Sequence, residues 1–172
     1  PFRLKHQAVY RLSRAGFSHR QLPFSVSLAD GRIDLSNEMF QWSGAHVAFG
    51  SCSLLMNGSW MWGEKAETLE ILAEGRVDLK DVFNLFQSKL FPEEMRLQVK
   101  RFQGISGKGE LSFKSHSIKG MQPFSYEGEF IPKDVSLQPR GVSTPMMLRE
   151  GLLSFSNLGI GFSKMKVQSG NS

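Results

Sequence analysis

Residues that carry chemistry are scarce in this chain. It has a single cysteine, Cys52, so no intrachain disulfide can form. Its four histidines, at 6, 19, 46 and 116, are scattered, with no spacing that would let two of them share a zinc ion. No metal site and no cofactor are expected. No stretch approaches the ~20 apolar residues that cross a bilayer as a helix, and none reads as a signal peptide. Ser51-Cys52-Ser53 is the one place for a nucleophile, yet it reads as the small-residue start of a strand, and a structural thiol fits better. Gly104-Ile105-Ser106-Gly107-Lys108-Gly109 imitates a phosphate loop but fails the pattern. Phe102 stands where the first glycine is needed and Gly109 where Ser or Thr must follow the lysine; the segment reads as a turn. Glu64, Glu67, Glu70 and Glu74 have irregular phase and read as a solvated edge. Asn57-Gly58-Ser59 matches a glycosylation sequon, but its Asn-Gly is better explained by a tight turn. No constellation for an enzyme emerges.

What the chain has is repetition. Glycine, a variable residue, an aliphatic, a small polar residue and another apolar recur as Gly31-Arg32-Ile33-Asp34-Leu35, Gly75-Arg76-Val77-Asp78-Leu79, Gly109-Glu110-Leu111-Ser112-Phe113 and Gly151-Leu152-Leu153-Ser154-Phe155. The natural reading is a glycine that ends a turn, followed by a strand with one apolar face. Repeated, this builds a long one-sided sheet whose apolar face must be covered by something. Phe24, Val26 and Leu28 followed by Asp30-Gly31 predict a two-residue hairpin, with Leu28 opposite Ile33 and Val26 opposite Leu35. Further strands are expected over 45–49, 54–62, 69–77, 96–102, 109–114, 124–131, 135–138, 152–156 and 159–168. Between Phe162 and Met165 the alternation changes parity, which predicts a bulge or turn.

One segment breaks this rhythm. Leu79, Val82, Phe83, Phe86 and Leu90 fall at helical spacing, with Asp78 as N-cap, Asp81 in the first turn and Pro92 beyond the end. A short helix near 79–90 is expected to lie across the apolar face, with Val82, Phe83 and Phe86 shielding or gating it. The fold class is therefore mainly β: a long, curved, mostly antiparallel repetitive sheet with one short helix. Residues 1–21 are expected to form an extended segment of unassigned character, and 22–172 a repetitive β-groove segment of a longer protein.

Lysine and arginine exceed aspartate and glutamate by 21 to 16, giving a diffuse net charge of +5. Such a charge suits anionic partners, membrane surfaces as readily as nucleic acid. The aromatics share the apolar face with Leu, Val and Ile, whereas single-strand binders interleave exposed aromatics with cations; nucleic acid is not the expected partner. Lys100, Arg101, Lys108, Lys114 and Lys119 cluster in sequence and are expected to form a basic rim.

From Gly107 onward the chain resembles the AsmA-like family of bacterial envelope proteins. The resemblance lies in Gly107-Lys108-Gly109-Glu110-Leu111-Ser112-Phe113 and Pro123-Phe124-Ser125-Tyr126-Glu127-Gly128-Glu129-Phe130. It continues through Pro145 to Phe155 and in Leu158 to Phe162. Leu69 to Phe86 is similar to the family's recurring strand-and-helix unit. The resemblance implies a non-enzymatic, bridge-shaped lipid carrier in the periplasm. Its parent would be anchored in the inner membrane, and its apolar β-groove would carry phospholipid or another acyl-chain lipid toward the outer membrane. Its partners would be that lipid, a membrane surface and the remaining groove segments of the parent. Leu111, Phe113, Phe124, Tyr126, Phe130, Leu153 and Phe155 are the groove-lining candidates. The same residues would equally serve a closed β-sandwich with a structural or partner-binding role.

Overall fold

The computed structural model describes residues 6–63, 67–89, 93–118 and 121–169; the side chains at 94, 95, 98 and 121–124 fall outside the description. Nine strands form one sheet in strict sequence order, each antiparallel to the next. They are β1 (Gln7–Phe17), β2 (Val26–Ser36), β3 (Met39–Phe49), β4 (Cys52–Trp62), β5 (Glu67–Asp78), β6 (Phe102–Ile118), β7 (Met121–Pro139), β8 (Met146–Ser156) and β9 (Gly159–Ser169). The sheet is open: β1 and β9 each pair with one neighbour, and the two do not meet. The two-sheet sandwich is therefore not the arrangement of these strands. Within the N-terminal segment of 1–21, Gln7–Phe17 forms β1, an edge strand paired with β2 along its length.

Two helices interrupt the meander between β5 and β6: α1 (Leu79–Phe86) and α2 (Glu93–Val99). The first is the helix that the apolar stripe predicts. Asp78 caps it, its carboxylate accepting from the Lys80 N–H at 3.0 Å, which satisfies one of the orphan donors of the first turn. Leu90 and Pro92, assigned to the stripe and stop of this helix, lie outside the described residues. The second helix replaces the strand expected over 96–102. Arg96 to Phe102 alternates polar and apolar residues, but its Lys100 N–H donates to the Arg96 carbonyl at 3.1 Å, closing a helical turn. The strand begins only at Phe102.

The Asp30–Gly31 hairpin does not form. Val26–Ser36 is one uninterrupted strand, paired on both sides. Leu28 and Ile33 lie an odd number of residues apart, so a regular strand would send them to opposite faces. A hairpin would reunite them by folding back; the protein reunites them by a local reversal of the pleat. Asp30 takes φ 56°, and Gly44, beside it on β3, takes φ 62°. The register between β3 and β4 slips across Trp42 and Ala45. Asn57 completes this device, its side-chain oxygen accepting from the Gly44 N–H at 2.8 Å. Asn57-Gly58 is thus the middle of β4, not a turn. The parity change expected between Phe162 and Met165 occurs, with Lys164 at φ 52° and register shifts against β8. Asp134, at φ 51°, reverses β7 in the same way.

The phrase glycines also have a different role from the one expected. Gly31, Gly75, Gly109 and Gly151 all stand within strands. At Gly75 (φ 146°) a Cβ would meet the Ser53 carbonyl and lie 3.0 Å from the Leu54 Cα, so the close backbone approach requires glycine there. The loop expected at Gly104–Gly109 is likewise part of β6.

Candidate functional site: one apolar face across nine strands

Residues directly opposite one another in antiparallel strands share a face, so the register identifies each face of the sheet. One row crosses all nine strands: Ala15, Leu28, Val47, Leu54, Gly75, Leu111, Phe130, Leu153 and Phe162. Every member is apolar or glycine. The next row runs Ala45, Met56, Ala73, Phe113, Gly128, Phe155 and Ile160. A third runs Tyr10, Ile33, Trp42, Gly58, Ile71, Ser115 and Tyr126. The opposite face carries Arg14, Ala29, His46, Leu55, Glu74, Ser112, Glu129, Ser154 and Gly161 in a comparable row. The apolar face is continuous because the sequence changes parity at the same places where the backbone reverses its pleat.

The proposed lining residues therefore come together. Leu111, Phe130 and Leu153 are consecutive in one row, Phe113 and Phe155 stand in the next, and Tyr126 follows in the third. The Phe113 and Phe155 rings stack at 6.4 Å between centroids. The side chain of Phe124 lies outside the described residues. Sequence reasoning missed the other half of the face, among it Leu28, Ile33, Trp42, Leu54, Ile160 and Phe162. The alternation that could have revealed them is present, but it is broken by the reversals at Asp30, Gly44 and Lys164.

Glycine and aromatic residues alternate across strands on this face. A Cβ at Gly58 would collide with the Trp42 indole and lie 2.5 Å from the Glu70 carbonyl oxygen. Gly128 bears the same relation to the Phe155 ring, and Gly109 to the Phe130 ring. Each ring thus occupies the space that a side chain on the neighbouring strand would need.

Cover on this face is uneven. Cys52, Leu54, Val77, Phe130, Val135 and Leu148 form the buried cluster, with Leu79 and Val82 of α1 packed against it. The Asp81 carboxylate fastens α1 by accepting from the Ser51 N–H at 2.6 Å. Val82 thus touches the face as expected, and Phe83 and Phe86 are half-buried. Elsewhere Ala45, Ala73 and Ser115 on the same face are buried, whereas Tyr10, Trp60, Ile160 and Phe162 are exposed, the last two by 66% and 64%. Isolated exposed apolar residues are ordinary, but neighbouring ones such as Ile160 and Phe162 at the end of one apolar face mark a candidate binding surface.

Cys52 is a structural thiol. It is buried, its sulfur accepting from the Asp78 N–H at 3.2 Å and lying 3.7 Å from the Asp78 carbonyl. Burial pushes its pKa up, against a smaller downward pull from the Asp78 backbone and with added repulsion from Asp81 and Asp78. A thiol held protonated is a poor nucleophile.

The outer face is polar and laced with ion pairs: Arg32 with Asp34 at 2.8 Å, Lys133 with Glu110 at 2.6 Å, and His116 with Glu70 at 3.1 Å. A hydrogen bond from Arg32 draws the Asp34 carboxyl below its ordinary value, and Lys133 does the same for Glu110. Glu67, Glu70 and Glu74 lie on β5, the middle strand of the sheet, not on its edge; Glu64 lies outside the described residues. The expected basic rim divides. Lys108 and Lys114 project from the middle of β6 on the outer face, Lys114 lying 3.9 Å from Glu127. Lys100 and Arg101 sit at the strand end, and Lys119 is outside the described residues.

Among the described residues, no three His, Cys, Asp or Glu side chains stand close enough to hold a metal ion, and no helix is long and apolar enough to cross a membrane. Searches of protein-family models, curated proteins and solved structures returned no match to this chain.

Proposed function

We propose that this chain is a non-enzymatic segment of a bacterial envelope protein that shields phospholipid acyl chains on its apolar β-face during transport between the inner and outer membranes. Such a role places it with the AsmA-like carriers of the periplasm, its parent anchored in the inner membrane. The observation that carries the reading is the unbroken nine-strand apolar row, only part of which α1 covers. At ~4.8 Å per strand, eight intervals make a track ~38 Å long. A diacyl lipid exposing ~30 methylenes to water would lose on the order of 20 kcal/mol, at ~0.8 kcal/mol each. A carrier must keep that cost from being incurred at every step, and a gap-free apolar row meets the requirement. The single free edges of β1 and β9 offer places for further strands of a longer sheet to add.

A phospholipid labelled with nitrobenzoxadiazole on its acyl chain tests the proposal. Bound to the purified chain, the dye should be protected from dithionite reduction. Phe113→Asp or Phe155→Asp should lower the protected fraction by placing an unpaired carboxylate on the track. Dye reduced as fast with the protein as without it would remove the reading and favour a protein partner as the cover of this face.

A further inference from the structure

We infer that the strand-end patch formed by the end of α2 and the β7–β8 turn is the surface by which this chain rests on an anionic bilayer. The inference builds on the acyl-shielding reading and adds which part of the molecule meets the membrane. The Arg140 N–H donates to the Arg101 carbonyl at 2.9 Å, and Phe102 pairs with Pro139. Lys100-Arg101 and Arg140, far apart in sequence, are thereby neighbours. Arg96 stands one helical turn before Lys100, whose N–H donates to its carbonyl.

Three features of the patch point to phosphate headgroups. Lys100, Arg101 and Arg140 are exposed, and none is paired with a carboxylate among the described residues. By contrast, Lys133 of the outer face is held by Glu110. Second, the Arg96 Nε is buried without a hydrogen-bond partner. An unsatisfied guanidinium N–H beside a cationic surface is a place for an acceptor supplied from outside. Third, Leu97, next to Arg96 in α2, and Val142, two residues after Arg140, are 51% and 42% exposed. Exposed aliphatic side chains close in sequence to exposed Lys and Arg match the two-part chemistry of a bilayer interface, acyl boundary and anionic headgroup together. Glu93 stands at the far end of α2.

Vesicle co-sedimentation tests this, comparing phosphatidylglycerol–phosphatidylcholine mixtures with pure phosphatidylcholine. The wild-type chain should bind only the anionic vesicles, and less as salt rises. Arg101→Gln with Arg140→Gln should weaken that binding about 25-fold, taking about fivefold for each charge removed near the surface. Lys114→Gln on the outer face should leave it unchanged. Both arginines are exposed, so the variant should fold as the parent does; its far-ultraviolet circular dichroism checks this. Equal binding to neutral vesicles, or full binding by the folded double variant, would overturn the inference. So would displacement by inorganic phosphate at matched ionic strength, which would mark a free-anion site instead. Acyl-label protection should persist in the double variant. If protection fails in the wild type while charge-dependent vesicle binding holds, the groove reading falls and this surface stands.

Discussion

Phe162 and Phe130 lie on the same row, two strands apart, and differ in exposure by an order of magnitude: 64% against 6%. Replacing each by aspartate separates an open face from a covered one. A fully buried aromatic removes at least ~150 Å² from water. Phe162, one third covered, removes ~60 Å², worth ~1.5 kcal/mol at ~25 cal/mol per Å². Its aspartate can remain ionised in water, so no large charge-burial cost is added. Phe130 forfeits ~3.5 kcal/mol of burial and also places a carboxylate in the cluster with Leu54, Val77 and Val135, which adds a further desolvation cost. Against a total stability of about 5–15 kcal/mol, Phe162→Asp should fold and Phe130→Asp should be largely unfolded. Urea titration followed by the fluorescence of the three tryptophans reads both, and lipid occupancy of the folded Phe162→Asp protein should fall. A Phe162→Asp penalty as large as that of Phe130→Asp would refute the reasoning, because the β9 end of the face would then be covered in solution.

Three further expectations follow from the same geometry. Gly58→Ala should lose about 2 kcal/mol, at the middle of the overpacking range, because the Trp42 ring and the Glu70 carbonyl must both give way; thermal melting within a degree of the parent would contradict the ring-over-glycine packing. Phe83→Ala with Phe86→Ala should raise binding of a hydrophobic dye while the strand signal in circular dichroism holds, and unchanged dye binding would mean that α1 does not shield the face. Cys52 should resist iodoacetamide at pH 8 in the folded chain and react once denatured. Because its folded pKa lies above the ordinary value of 9.0, the stability it contributes is full below that value and is lost as pH rises through the folded pKa. Cys52→Ala should abolish that alkaline loss, and an identical alkaline profile in the variant would refute it.

Most of the sheet was legible because alternation of apolar and polar residues is a strong signal wherever one face is polar. Phe124 to Phe130 is the clearest case, with Tyr126 and Phe130 on one face and Glu127 and Glu129 on the other. The errors within the strands share one cause. An odd spacing such as Leu28 to Ile33 is satisfied equally by a hairpin and by a pleat reversal, and only pairing with β1 and β3 decides between them. Asn57-Gly58 misled for the same reason, since Asn57 serves the backbone of Gly44 and Gly58 makes room for Trp42. At Arg96 to Lys100 two apolar residues, Leu97 and Val99, alternate with polar ones, a pattern too brief to separate a strand from a helical turn. The basic patch was half-legible: Lys100 and Arg101 are adjacent in sequence, but Arg140 joins them only through the pairing of β6 with β7.

The central claim is that lipid covers this apolar face, and mass spectrometry of organic extracts from the purified chain, prepared without detergent, tests it most directly. The account predicts phospholipid at near-stoichiometric amount from the wild-type chain, and markedly less from folded Phe162→Asp. A monodisperse, folded, lipid-free protein would contradict it.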